Sequence, residues 1–425
     1  DLTHVRSEFL RTQLETTINY EKQIGEHDFD VLVGGSQLKT RFDLLANYVG
    51  NLPSNDIRTT GAAGVDNIIG AEGLRREDGL ISYFGRVNYA YAGKYLLTAT
   101  VRHDETSKFA QGNRSGVFPS FSLGWRISDE EFFPENSIIS ELKLRGGYGE
   151  LGAQNVGDYR YQSVVQTTSP SSFGNAIVPG FAQTSFANSG LQWETSTTVN
   201  FGLDFGFFDN NLTLSTEYYK KDIENLLVDV PIPSSNGTNV PVTQNAGALE
   251  NSGFEILLNY KNNNNDFKYK IGLNLATQSS TLTSVPSQFF GPSVNEGIES
   301  VNIFRAGDDP GSFYGFIVDG VYDDQSQINS DPNRANDPNI SALSPGDFIK
   351  RDINGDGIVD SDDQTILGSP VPDFTYGINF SGEYKNFDFS VFFNGVSGNE
   401  VYNQARNFNT LSADGNKLVD VLDRW

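Results

Sequence analysis

The chain has 425 residues, 30 Lys and Arg against 54 Asp and Glu, and a formal net charge of −24. Such acidity excludes a general nucleic-acid-binding surface, which needs a cationic footprint. Cysteine is absent, which excludes thiol catalysis, iron–sulfur clusters and cysteine-ligated zinc.

The dominant period is 2, which is the period of a β-strand with one apolar face. In chain order, the first hairpin sets Tyr83, Val87, Tyr89 and Tyr91 before a turn at Ala92-Gly93-Lys94. It returns through Tyr95, Leu97, Ala99 and Val101. A second runs Val199, Phe201, Leu203, Phe205 and Phe207, turns at Asp209-Asn210-Asn211 and returns through Leu212, Leu214, Thr216 and Tyr218. A third runs from Phe254 to Tyr260, turns through Asn262 to Asp266, and returns from Phe267 to Leu275. The one segment that reads as a helix is short, Asp323 to Asn329. A last hairpin pairs Phe374, Tyr376, Ile378 and Phe380 with Phe387, Phe389, Val391 and Phe393 across Lys385-Asn386.

No run approaches the ~18 apolar residues of a transmembrane helix, whereas a barrel strand needs only ~9–11 residues with every second one apolar. Turns inside the hairpins are short, and the hairpins are joined by long polar stretches at residues 152–190, 224–250 and 278–372. Aromatics crowd the strand ends, where interfacial girdles sit. The expected fold is all-β, an antiparallel transmembrane barrel, with Phe201, Leu203, Phe205, Ile271, Leu273, Phe374 and Ile378 towards lipid. Asn200, Asp204, Asn274 and Asn379 would face the lumen. A large soluble β-sandwich also alternates, but it accounts less naturally for the aromatic strand ends and the unequal loops.

Gly147 to Gly152 matches G-x-G-x-x-G after a strand-like Leu142 to Arg145. A dinucleotide site needs a helix next, and Ala153 to Tyr159 has no helical period, so these glycines are expected to relieve crowding in a curved strand. The three histidines form no ligand pair, and Arg102-His103-Asp104 reads as a polar cluster at a strand end. No nucleophile–base motif is present, and a carboxylate pair for glycoside hydrolysis has nothing to point to it; the chain is not expected to be an enzyme. Residues 352–363 carry oxygen donors at the spacing of a wrapped calcium loop: Asp352, Asn354, Asp356, the Ile358 carbonyl, Asp360 and Asp363, with Gly357 at the reversal. The cofactor expected there is a structural calcium ion (Ca2+), with Asp in place of the usual Glu at the last position. The bland reading is a solvated loop rich in Asx turns.

Read together, these segments resemble the barrel of SusC/RagA-type TonB-dependent transporters of the outer membrane. The matching stretches are Ser82 to Tyr89, Lys94 to Leu97, Arg102 to Phe109, Phe118 to Ser128, Leu144 to Gly149, Leu191 to Glu194 and Asn200 to Asp204. They continue through Tyr218 to Lys220, Asn251 to Glu255, Gly315 to Gly320, Pro345 to Asp347, the acidic loop, and Pro372 to Gly377. The resemblance implies a barrel of 22 strands, of which about 14 are legible across residues 1–425, with 278–372 as a long extracellular loop region. It also implies a plug, a TonB box and a SusD/RagB-like lipoprotein partner. The chain shows neither plug, TonB box nor closing strands and has no methionine, so it reads as an internal stretch of a longer polypeptide. The implied function is TonB-dependent import of oligosaccharides or oligopeptides, in the cell outer membrane. The alternative is a SusC-like barrel serving as a structural subunit of a larger secretion or motility assembly.

Overall fold

The computed structural model describes all residues except 63–66, 135–137, 167–170, 175, 179, 231, 234, 236–239, 264–265, 292–299, 407–416, 420–421 and 423–425. The chain divides into two compact units, residues 1–210 with 219–248, and residues 211–218 with 249–425. The division falls within strands and no linker marks it.

In the first unit, β1 (Leu2–Ile24), β2 (His27–Val49), β3 (Ile68–Tyr91), β4 (Tyr95–Thr106), β5 (Ser115–Arg126) and β6 (Ile139–Ala153) follow one another as antiparallel neighbours. Four short strands, β7 (Val164–Gln166), β8 (Ser171–Phe173), β9 (Ala176–Val178) and β10 (Ala182–Ser185), form two small pairs in the following loop. β11 (Glu194–Phe207) then returns to pair with β6. β12 (Leu212–Val230) and β13 (Val242–Asn262) have residues in both units.

Register shows why the alternation matters. Tyr89 pairs with Leu97, Leu97 with Leu123, Leu123 with Gly146 and Gly146 with Phe201. One row of side chains on one face therefore spans five strands. Leu123, Phe121, Phe201 and Val199 on that apolar face are each at least half exposed. The other face is small and polar: Thr98, Ser120, Ser122, Gly147, Gly149, Thr198 and Asn200 line adjoining shallow grooves. A soluble sandwich would bury the apolar face. Here the described buried apolar residues are few and lie elsewhere, Phe109, Phe118, Val156, Leu191 and Trp193 in one cluster.

The second unit repeats the pattern. β14 (Phe267–Thr277) pairs with β13 and with β22 (Phe374–Tyr384), which pairs with β23 (Phe387–Ser397). Leu273 lies opposite Ile378 and Leu275 opposite Tyr376 on an exposed apolar face, while Asn274 lies opposite Gly377.

The stretch at 278–372 reads as loop in sequence, yet its described residues form strands and turns. Beyond β15 (Ser279–Ser284), the strands β16 (Phe289–Phe290), β17 (Asn302–Phe304), β18 (Ser312–Phe316) and β21 (Gln364–Gly368) form one small sheet. β19 (Val318–Val321) and β20 (Phe348–Lys350) form another. The helix α1 (Gln325–Asn329) matches the short helix expected there and begins where the Asp324 carboxylate accepts the Gln327 N–H at 2.9 Å. Ile303, Tyr322 and Ile328 in this stretch are fully buried. The stretch at 224–250 is also shorter as a loop than it reads, because β12 runs to Val230 and β13 starts at Val242.

Candidate functional site

Three features have geometry that bears on function. The first is the polar face of the wall. Arg145 and Asp204 form an ion pair at 3.3 Å on this face, and a Cβ on Gly202 would meet the Arg145 guanidinium at 2.6 Å. Asn88 donates to Asp30 at 2.9 Å and accepts from Thr98 at 2.8 Å. Arg102 donates to both oxygens of Asp104 and to the Ser82 hydroxyl at 2.8 Å. Arg102 and Asp104 therefore form the expected polar cluster, and His103 lies opposite Tyr83 on the other face. No acid–base pair is built from these three residues.

The second is the aromatic cluster at the ends of β5 and β6. Trp193 stands edge-on to Phe109 and Phe118, with ring centroids 5.7 and 5.4 Å away, and its Nε1–H donates to the Arg114 carbonyl at 3.0 Å. The Phe118 ring lies so close to Gly116 and Gly152 that a Cβ there would come within 2.4 and 2.0 Å of it. Gly152 is thus a packing glycine. Gly147 to Gly152 runs through β6 with no following helix, as expected for a strand and not for a dinucleotide site.

The third is the acidic loop. Gly355 and Gly357 have φ of +78° and +80°, the left-handed region that residues with a Cβ avoid. The Asp352 carboxylate accepts the N–H groups of Gly355 and Gly357, both at 2.7 Å. Asn354 Oδ1 accepts from Asp356 N–H at 2.9 Å, and Asp356 Oδ1 from Ile358 N–H at 2.8 Å. Asp363 is fully buried and gathers the N–H groups of Ile353, Asn354 and Asp360 at 2.8, 3.3 and 3.0 Å. Burial pushes its carboxyl up, but these N–H groups and the neighbouring Asp352 side chain outweigh burial and hold it below the ordinary range. Asp360 caps the one turn of 3-10 helix at Ser361–Asp363. Asn336 fastens the loop through the Asp356 and Gly357 carbonyls, at 2.7 and 2.9 Å. Among the described residues no three acidic or histidine side chains converge into a group that could hold a metal ion; the carboxylates are turned to the loop's own N–H groups.

Two polar groups within residues 302–368 escaped the sequence reading. Tyr322 and Asp331 are buried and hydrogen-bonded, and burial together with the Asp331 carboxylate pushes the phenol up to about 12. Arg334 and Asp337 form a buried ion pair nearby. Asp331 caps the 3-10 turn Pro332–Arg334, and Asp337 follows Arg334 by three residues; in sequence that spacing is the same as in a solvated polar turn.

An exposed apolar face backed by a wet polar one, on strands with tied aromatic ends, is the pattern of a membrane barrel wall. The sequence matches, over residues 4–421, the family described as TonB dependent receptor-like, beta-barrel. The chain belongs to this family. Among its relatives, TonB-dependent receptor P3 of Formosa agariphila is 31% identical over 97% of this chain and 41% of that protein. TonB-dependent receptor SusC of Bacteroides thetaiotaomicron is 31% identical over 91% of this chain and 37% of its own length. The structure of the RagAB peptide transporter superposes over 100% of this chain and 45% of that one, with a TM-score of 0.82 at 22% identity. The chain spans less than half the length of these relatives. It is an outer-membrane β-barrel wall of the TonB-dependent receptor family, and in such a wall an apolar face meets lipid and a polar one the lumen. The two unexpected buried networks lie within residues 302–368 and not in that wall.

Proposed function

We propose that this TonB-dependent receptor wall belongs to an importer of oligosaccharides or oligopeptides that works with a SusD-like surface lipoprotein. The observation that carries the reading is the lumen face: small hydroxyls, amides and glycines from Thr98 to Asn200, with charges already paired as Arg145 and Asp204. Such a surface exchanges water-mediated contacts with a hydrated guest without holding it. Energy would enter through TonB acting on a plug domain, and the described strands and turns of residues 302–368 would supply the surface on which a lipoprotein lid rests. A scaffold role in a larger secretion or motility assembly is the competing reading. Deleting the whole receptor and following uptake of labelled oligosaccharides and oligopeptides, with and without a functional TonB, separates the two. Loss of uptake in both strains supports import. Unchanged uptake combined with loss of a multi-subunit complex supports the scaffold.

We also propose that residues 352–363 bind calcium through Asp352, Asn354, Asp356, the Ile358 carbonyl, Asp360 and Asp363. The support is the donor spacing, the reversal at Gly357, and two carboxyl side chains, Asp352 and Asp363, brought side by side. A cation must compete with the N–H groups that hold these oxygens, so affinity is the quantity to measure.

A further inference from the structure

We propose that the lipid-facing wall carries a built seat for one phospholipid acyl chain, centred on Gly146. The register makes the case. Gly146 lies between Leu123 and Phe201 across the sheet and between Leu144 and Tyr148 along β6, on the same apolar face. Every neighbour in that grid fills its place with a large side chain, and Gly146 leaves a hole in it. The result is an apolar groove of about 510 Å³ lined by Tyr89, Tyr95, Leu123, Trp125, Leu144 and Phe201.

One end of the groove is fixed. Trp125 Nε1–H and the Tyr95 hydroxyl both donate to Glu130, at 2.9 and 2.6 Å, and Lys94 reaches the same carboxylate at 3.3 Å. The Tyr95 and Trp125 rings stack with centroids 6.4 Å apart. Their polar tips are thereby tied at the water boundary while their rings wall the groove, as interfacial aromatics do. A wall held in place before the guest arrives costs little ordering on binding.

The membrane supplies the occupant. The face is in the hydrocarbon, where voids lose dispersion contacts, and an acyl chain is the solvent there. The groove lies beside the short Ala92-Gly93-Lys94 turn, and short turns mark the periplasmic side. That is the phospholipid leaflet, so a lipid A chain is not the expected guest.

A Cβ at Gly146 would meet only ordinary contacts, the Asn200 carbonyl at 3.7 Å and the Phe201 ring at 4.0 Å. Gly146→Leu therefore fills the groove without straining the wall. The complete receptor, purified from its outer membrane in mild detergent, is weighed by native mass spectrometry, with heat-modifiable gel migration as the folding control. Wild type should retain one phospholipid mass per chain, Gly146→Ala should resemble it, and Gly146→Leu should lose most of it. Phe201→Ala, which removes one wall from the opposite side, should lose it as well. Equal retention by wild type and both groove variants overturns the proposal. So does a retained mass of lipid A, or a wild-type dimer that Gly146→Leu dissociates, since the hole would then seat a second copy.

Discussion

Depth in the membrane can be read along a single strand, and it sets the cost of a charge. On β11, Leu203 and Phe207 share the apolar face, and Phe207 is the last residue before Phe208, Asp209 and Asn210 turn with positive φ. Four residues at ~3.3 Å each, on a strand tilted ~40° in a hydrocarbon band ~25 Å tall, place Leu203 about 10 Å deeper than Phe207. Leu203 is then close to the midplane and Phe207 close to the interface. Leu203→Arg should destabilise the barrel by about 2–4 kcal/mol and Phe207→Arg by about 0–1 kcal/mol from the charge itself. Since ~1.4 kcal/mol is tenfold in an equilibrium constant, the gap of about 1–4 kcal/mol should separate the two variants by at least about fivefold. The measurement is urea unfolding of the complete receptor in lipid, read by the loss of the heat-modifiable folded band. Equal costs, or a larger cost at Phe207, would refute the placement of this face in lipid.

Trp193→Ala should cost about 3–5 kcal/mol, typical of a buried tryptophan, because it removes two aromatic neighbours and the bond to the Arg114 carbonyl; limited proteolysis should show cleavage at residues 107–113 and 154–163 before the wall opens. Asp363 has its carboxyl lowered in the folded loop, so it contributes stability that is present above its unfolded value of ~3.9 and lost as pH falls through the lower folded value. Protection from hydrogen exchange at Ile353, Asn354 and Asp360, relative to the unstructured chain at the same pH, should therefore be equal at pH 7 and pH 5 and be lost only in strong acid, and a loss already between pH 7 and 5 would contradict this. For calcium, titration calorimetry on the complete receptor should give one site that Asp356→Ala abolishes, with the barrel still folded; no heat in wild type ends that proposal.

The four hairpins were legible in sequence because the membrane forces alternation on them: Phe201 and Leu203 meet hydrocarbon while Asn200 and Asp204 meet water. That force stops at the membrane edge, and so does the signal. β3 begins at Ile68 but alternates clearly only from about Ile81, because Glu72, Arg75, Arg76 and Glu77 carry the strand through water on both sides. The outer parts of β12 and β13 were read as loop for a different reason: Leu226, Leu227 and Val228 are apolar at both parities, and Leu227 packs against the buried aromatic cluster. β1 and β2 show apolar residues of both parities, Phe9 beside Leu10, and nearly all of β1 is exposed, so no single face declared itself. The strands and turns within residues 302–368 were missed for another reason. Their buried apolar residues come singly from short pieces, Ile303, Tyr322 and Ile328, and such a set has no period at all. What did show was the short helix capped by Asp324 and the acidic loop with the turn capped by Asp360.

The glycines of β6 show where sequence reading stops in principle. In Gly146-Gly147-Tyr148-Gly149-Glu150-Leu151-Gly152 one strand uses the missing side chain for separate ends. Gly147 lies against Asn200, whose amide oxygen would be 2.4 Å from a Cβ there, and with Gly149 it keeps the lumen face low. Gly152 gives its space to the Phe118 ring. Gly146, on the opposite face, is the one of these with nothing tight against it, its nearest contacts being 3.7 and 4.0 Å. A glycine that accommodates a neighbour and a glycine that leaves a hole are the same letter, and only the register of β5, β6 and β11 tells them apart. Packing accounts for Gly147 and Gly152 within this chain; the open space at Gly146 has no such account inside the protein, which is why its explanation is sought in the lipid.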